Sequence, residues 1–149
     1  HLNCSIIRRE LYLCINGIDE TIRWQCDRDL HLRTLNRADK IIYNPFVVSR
    51  HLIPDTSKKE NMTTMVNMLE KRLYQVTVFQ KGTLLLKRSS LRTYCLAYLG
   101  FIYQHITHEL LSTNRVKEAS SYASKALACR FSIKWLVFTY WLKTKALLS

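Results

Sequence analysis

Glycine and proline are scarce in this sequence, with three and two copies among 149 residues. Sheet-rich folds need more turn-forming residues than this, so the composition favours helices. No segment reaches roughly 18 uninterrupted apolar residues, which argues against a membrane-spanning helix. The chain starts at His1 and shows no signal-peptide pattern, so we expect a fragment or a processed product.

The cysteines form no recognisable framework. There are five of them, an odd number, and no two are spaced as Cys-x-x-Cys. This pattern argues against a disulfide network and against a zinc knuckle. It favours free thiols in a reducing, cytoplasmic environment.

Positive charge is in excess and is unevenly distributed. The net charge is +12. Residues 1–53 carry eight basic and six acidic side chains, whereas residues 54–149 carry fifteen and five. No nucleic-acid-binding signature accompanies the excess. Two interpretations stay open for the basic part: a solvated basic face, or attraction to an acidic membrane surface or an acidic protein partner.

Strand-like and helix-like patterns alternate in the first fifty residues. Residues 9–15 predict a short helix that ends at Asn16-Gly17, because glycine tolerates the left-handed backbone of a helix C-terminus. Asp27 occupies the position of an N-cap ahead of a second helix. Three short apolar runs predict strands, over residues 3–8, 40–43 and 46–49.

The pattern becomes helical after the polar segment 54–61. Apolar residues spaced by three and four predict a helix over residues 62–81, and Gly82 either ends this helix or lies within a longer one. Asn114-Arg115 predicts a turn between two later helices. Three further helices are predicted, over residues 91–113, 116–130 and 132–148.

The end of the chain resembles a single degenerate tetratricopeptide repeat. Leu99-Gly100 and Tyr103 match the first helix of that repeat, and Phe131 stands where a closing proline is usual. The resemblance implies a helical hairpin that packs on a neighbouring helix. Small and apolar residues match the second helix of the repeat: Ala119, Ala123, Ala126 and Leu127.

Residues 4–53 resemble the C-terminal, acceptor-side half of a family 2 glycosyltransferase domain of the A-type fold. Two family features, Glu before the first Asp of the helix-start motif and an aromatic after Gly, are replaced here by Cys26 and Ile18. The resemblance implies a hexosyltransferase-type enzyme that uses a nucleotide sugar. Four motifs carry it in order: Arg8-Arg9, Gly17-Ile18-Asp19-Glu20, Asp27-Arg28-Asp29-Leu30-His31-Leu32-Arg33 and Ser49-Arg50-His51.

By this resemblance Asp27 is the general base that takes the proton from the acceptor hydroxyl. A purely structural role as an N-cap is the alternative. Asp29 is expected to support the site or to be an ordinary first-turn carboxylate. Trp24 is expected either to stack on a sugar ring or to lie in the core. Arg33 is expected to make a structural salt bridge.

Arg50 and His51 are expected near the donor's diphosphate or its metal, or His51 is an ordinary loop residue. The resemblance implies a divalent metal, Mg or Mn, for the complete enzyme, with no complete metal site in this chain. The donor-binding half would lie upstream of residue 1. We therefore expect this chain alone to be inactive.

The predicted fold class is α+β, a partial A-type glycosyltransferase subdomain followed by an all-helical hairpin or bundle. The predicted divisions are 1–57 for the transferase-like part, 58–83 for a connecting helix, and 84–149 for the tail. The expected acceptor is a polysaccharide, such as a cell-surface polysaccharide, a lipid or a protein. The expected location is cytoplasmic or at the inner membrane face. The alternative function is a non-enzymatic helical interaction module.

Overall fold

The computed structural model describes residues 5–43, 45–46 and 67–148. Within these residues the chain forms helices and no strand, so the predicted α+β class is wrong for the part that the structure describes. The helices in chain order are α1 Arg9–Cys14, α2 Cys26–Arg37, α3 Met68–Leu85, α4 Ser89–Ser112, α5 Val116–Cys129 and α6 Ile133–Leu148.

The strand predictions fail where they can be examined. Residues 5–8 and 40–43 have irregular backbone, and Ile41, Ile42 and Tyr43 are exposed. A strand exists only when a neighbouring strand accepts and donates its backbone hydrogen bonds. No such neighbour lies among the described residues. The predicted strand over 46–49 extends into residues 47–49, which lie outside them.

The three C-terminal helices confirm the periodicity of the sequence. α4, α5 and α6 begin and end within about two residues of the predicted bounds, the usual uncertainty of helix ends. α4 packs between α3 and α5, and α5 also packs on α6. Small residues on α5 allow this close packing, and three of them are fully buried: Ala119, Ala123 and Ala126.

Gly82 lies inside α3 and does not end it, so the longer of the two predicted helices is observed, and it begins at Met68 instead of near residue 62. The glycine is buried where α3 meets α4. A Cβ atom at Gly82 would lie 2.7 Å from the Cys95 sulfur. The close approach of the two helices therefore requires glycine at this position. The packing that it allows outweighs the low helix propensity of glycine.

The loop before α2 and α2 itself join the same core. Ile22 and Leu32 belong to one buried cluster with Val78 of α3. The C-terminal end of α2 is also tied to the α3–α4 turn, because the Asn36 side chain accepts hydrogen bonds from the backbone of Lys87 and Arg88 at 2.8 and 3.1 Å. α2 is thus held at both its apolar face and its end.

No helix within residues 5–43 and 67–148 is both long and apolar enough to span a bilayer. A spanning helix needs about 20 mostly apolar residues. The prediction that these residues hold no transmembrane helix is confirmed. A cytoplasmic location stays a prediction.

We expect Gly82→Ala to lower the free energy of unfolding by about 1–2 kcal/mol, because the added methyl group collides with the Cys95 sulfur. Urea unfolding measures the effect. Leu84→Ala, at an exposed position of the same helix, is the control and should change stability by less than about 0.5 kcal/mol. Adding Cys95→Ala to Gly82→Ala should recover part of the loss. Strictly additive effects of the two changes would contradict the contact.

Candidate functional site

The turn before α2 sets the position of the two carboxylates in its first turn. Gln25, and not Asp27, occupies the N-cap position, so the predicted N-cap is wrong. Gln25 adopts a left-handed backbone with φ of 69°. Its carbonyl oxygen accepts hydrogen bonds from the backbone of Arg28 and Asp29 at 3.0 and 3.1 Å. Asp27 therefore lies one residue inside the helix, beside the N-terminal end of the helix dipole.

Asp29 is a buried carboxylate that is paired from two sides. Only 4% of its side chain is exposed. Arg33, one turn later in α2, donates to Asp29 Oδ2 from Nε at 2.8 Å, and Lys81 Nζ of α3 lies 2.9 Å from Asp29 Oδ1. A buried charge needs such compensation, so Asp29 is committed to holding α2 and α3 together.

Lys81 extends this charge cluster to the loop before α2. Its Nζ atom donates to Asp19 Oδ2 at 2.7 Å. The Thr21 backbone and hydroxyl also donate to Asp19, at 3.0 and 2.6 Å. The bond from Lys81, followed by those from Thr21, holds the pKa of the Asp19 carboxyl far below its ordinary value. Burial lowers the pKa of Lys81, but hydrogen bonds to Asp19 and Asp29 outweigh it and raise that pKa.

Arg33 fixes the other side of the same loop. Its guanidinium donates to the carbonyl oxygens of Ile15 and of Gly17, the latter at 2.7 Å. Gly17 follows α1 in a left-handed conformation with φ of 58°, and its N–H donates to Tyr12 O at 2.9 Å. The predicted helix end at Asn16-Gly17 is confirmed. Four side chains thus form one neutral charge cluster: Asp19, Asp29, Arg33 and Lys81.

Asp27 is in a different situation from Asp29. It is half-buried and makes no ion pair with any of the described residues. His31 lies one turn further along the same side of α2. Burial lowers the pKa of the His31 imidazole, while the charge of Asp27 acts to raise it. Asp27 is therefore the carboxylate of this helix start that is available to another molecule.

A small cavity of about 180 Å³ lies next to this helix start, between α2, α3 and α4. Arg28 lines it and also donates to Tyr98 Oη at 2.8 Å, with its guanidinium 5.4 Å from the Tyr98 ring centre. Sequence reasoning assigned no role to Arg28 or His31. Arg28 and His31 follow Asp27 by one and four residues. This spacing was the only feature of the sequence that could have indicated that the two side chains line a common cavity. The lining residues are Arg28, His31, Leu32, Phe79 and Tyr94.

Of the other predicted site residues, the structure describes Trp24 but not Arg50 and His51. Trp24 is half-buried directly before α2, and its Nε1 atom is buried without a partner among the described residues. The side-chain oxygen of the neighbouring Gln25 is in the same state. Arg50 and His51 lie outside the described residues, so their expected place near a diphosphate stays a prediction.

The described residues contain no group of three or more His, Cys, Asp or Glu side chains that could hold a metal ion. Asp27-Arg28-Asp29 has the letters of a metal motif, but Asp29 is occupied by Arg33 and Lys81. Asp27 and Asp29 therefore do not form a site for a divalent cation between them.

Comparison of the chain with protein-family models, with curated proteins and with solved structures finds no match. Its function is therefore argued from its own residues and their geometry.

We expect Lys81→Met to lower the free energy of unfolding at neutral pH by about 3 kcal/mol, because Asp29 loses one partner while buried. Urea unfolding measures the change. Lys117→Met, at an exposed position of α5, is the matched control and should have little effect. Equal stability of the two variants would contradict a role for Lys81 in neutralising Asp29.

The same variant should change the acid dependence of stability. The pKa of Asp19 is lowered in the folded state, so the unfolded chain binds more protons as the pH falls. The stability from Asp19 is therefore fully present above about pH 5 and is lost as the pH falls through the ordinary carboxyl range towards the folded-state pKa. Lys81→Met should flatten this slope, and Lys117→Met should leave it unchanged.

Proposed function

We propose that this chain is the acceptor-side part of a glycosyltransferase that moves a hexose from a nucleotide sugar to a glycan, lipid or protein acceptor. In this proposal Asp27 is the general base. It removes the proton from the acceptor hydroxyl as that oxygen attacks the anomeric carbon. The nucleotide leaves as its diphosphate, and the donor site belongs to a part of the enzyme outside this chain.

The observation that carries the proposal is the different use of the two carboxylates at the start of α2. Asp29 is buried and neutralised by Arg33 and Lys81. Asp27 is half-buried and makes no ion pair with any residue that the structure describes. A general base needs a free carboxylate in a fixed position, and a structural ion pair would occupy it. In this proposal Asp29 serves the structural ion pairs and Asp27 serves as the base.

The surroundings of Asp27 also suit an acceptor sugar. The neighbouring cavity combines the half-exposed aromatic ring of Tyr94 with the polar side chains of Arg28 and His31, and the buried Phe79 closes it on the core side. Sugar rings have apolar faces and a rim of hydroxyl groups, so such sites combine ring faces with a few hydrogen-bonding groups. Asp27 and His31 are one helical turn apart on the same side of α2, so the proposed base is one turn away from a residue that lines this cavity.

The donor side of the reaction rests on the resemblance in the sequence. The leaving diphosphate requires positive charge or a metal ion to stabilise it. Arg50 and His51 are proposed to help there, because a guanidinium matches phosphate geometry. No step through a metal is assigned to this chain. A divalent cation belongs to the complete enzyme, together with the donor-binding half.

A second candidate function is a non-enzymatic helical interaction module. The observation that favours it is the helical hairpin of α4 and α5, where Gly100 allows close approach. A Cβ atom at Gly100 would lie 2.9 Å from Arg130 Cβ. A donor-binding segment with an Asp-x-Asp motif in the polypeptide before residue 1 would favour the transferase. Its absence would favour the module.

In the full-length parent protein we expect Asp27→Asn to reduce kcat by about a hundredfold or more, because the amide cannot accept the hydroxyl proton. The thermal midpoint should stay close to that of the unaltered protein, since Asp27 has no ion pair among the described residues. Turnover is measured as release of nucleoside diphosphate. Wild-type turnover of Asp27→Asn would remove Asp27 as the base.

The other carboxylate in the first turn of α2, Asp29, provides a matched control for that experiment. Asp29→Asn removes a buried charge that two cations neutralise, so it should lower the thermal midpoint while a folded fraction keeps its turnover. The exposed Asp39→Asn should alter neither property. A loss of turnover per folded molecule in Asp29→Asn equal to that in Asp27→Asn would contradict the separate roles of the two carboxylates.

We also expect the chain alone to bind nucleotide sugars weakly. In this proposal the donor-binding half belongs to a part of the enzyme outside these residues. Calorimetry with UDP and GDP sugars in the presence of manganese tests this expectation. Dissociation constants in the micromolar range would contradict it, because such affinity requires a formed diphosphate site.

A further inference from the structure

The last helix, α6, is anchored to the core by one side only. Leu142 and Thr139 are buried, and the Trp135 indole donates to the carbonyl oxygen of Ala123 on α5 at 3.0 Å. These three residues lie within about 60° of one another around the helix, at 100° per residue. α6 is therefore fixed in orientation, and its opposite side is directed outward.

The outward side of α6 is apolar. Its large side chains have more than half of their surface exposed. Their spacing of three, four and seven residues places them on one stripe, in which the exposed Thr144 is the polar member and donates its hydroxyl to the Tyr140 carbonyl oxygen. A surface helix normally presents polar residues on this side. The exposed fractions are Ile133 72%, Val137 64%, Tyr140 65%, Trp141 53%, Leu147 87% and Leu148 85%.

Lysines border this apolar stripe on both sides. At 100° per residue, Lys134 and Lys145 follow one edge of the stripe and Lys143 follows the other. Lys145 Nζ lies 5.4 Å from the centre of the Trp141 ring. After Glu118 the chain contains five basic residues and no acidic one. The stripe is therefore surrounded by positive charge that no nearby carboxylate in the sequence offsets.

We propose that α6 binds an anionic lipid surface and lies in the plane of the interface. Val137, Trp141 and their apolar neighbours would enter the boundary between headgroups and acyl chains. The lysines would reach the lipid phosphates with their charged ends and cover apolar surface with their stems. α6 is not long and apolar enough to cross the bilayer. This inference concerns a surface separate from α2 and holds whether or not the chain takes part in sugar transfer.

The charge pattern favours a membrane over a protein partner. A protein interface core tends to be depleted in lysine, because lysine is costly to desolvate. At a lipid interface the same lysines stay hydrated and gain attraction to the anionic leaflet. Exposed Trp and Tyr side chains beside them fit the same region, where one end of an aromatic residue is apolar and the other is wet.

The test is co-sedimentation of the chain with lipid vesicles. One set is pure phosphatidylcholine, and the other contains about one third phosphatidylglycerol, so that only the second set has a negative surface potential. We expect binding to the anionic vesicles at least tenfold stronger than to the neutral ones. The binding should weaken as added salt shortens the Debye length. No binding to anionic vesicles, or equal binding to both sets, would overturn the proposal.

A double variant tests the apolar stripe. Val137→Ser with Trp141→Ser should reduce vesicle binding at least tenfold. Both positions are more than half exposed, so circular dichroism should show an unchanged helix content. Leu84→Ser, at an exposed position of α3, is the matched control and should bind as the wild type does. Equal loss of binding in the control would overturn the assignment to α6.

A triple variant tests the charge at the edges of the stripe. Replacing Lys134, Lys143 and Lys145 by Gln should weaken anionic binding by roughly a hundredfold, since each lysine near such a surface contributes about fivefold. Lys117→Gln, on α5, should weaken the binding far less.

Sedimentation equilibrium tests whether a second copy of the chain, and not a lipid surface, covers the stripe. A dimer that Val137→Ser with Trp141→Ser converts to monomer, without vesicle binding by the wild type, would assign the stripe to a second copy and overturn the lipid proposal.

Discussion

A carboxylate with 4% of its side chain exposed must be neutralised, and Asp29 is neutralised by Arg33 from its own helix and by Lys81 from α3. Both cations have further partners. Arg33 donates to the backbone at Ile15 and Gly17, and Lys81 donates to Asp19. The desolvation cost of one side chain therefore fixes three segments relative to one another: the loop after α1, the start of α2, and the middle of α3.

This arrangement also determines what is left over for function. Arg33 and Lys81 both pair with Asp29. Among the residues that the structure describes, Asp27 therefore remains the carboxylate of the first turn that makes no ion pair. The two residues are separated by two positions and so point about 200° apart around α2. Asp29 faces the core of the molecule, whereas Asp27 lies half-buried on the other side of the helix. The electrostatic requirement of the fold thereby separates a structural carboxylate from an available one.

The parts of this structure that could be predicted from the sequence are those set by neighbours along the chain. Three such features are local: the periodicity of α4 to α6, the helix end at Gly17, and the salt bridge of Arg33. Arg33 makes that salt bridge with a residue four positions earlier in α2. The failures depend on distant partners. Residues 40–43 lack a paired neighbour among the described residues. Gly82 is explained only by the Cys95 sulfur of the next helix, and Lys81 meets Asp29 across the long segment between α2 and α3.

The helical part of the chain cannot be treated as an appendage of the candidate site, because it supplies the surface on which α2 rests. The Arg28 guanidinium donates to Tyr98 on α4, and the Tyr98 ring stacks on Phe79 of α3 with centroids 4.4 Å apart. Phe79 is itself fully buried. The orientation of the helix that carries Asp27 thus depends on the packing of α3 against α4. The packing of α3 against α4 is therefore required by the transferase proposal as much as by the interaction-module alternative, and this contact does not favour either one. What discriminates between them is the chemistry at Asp27.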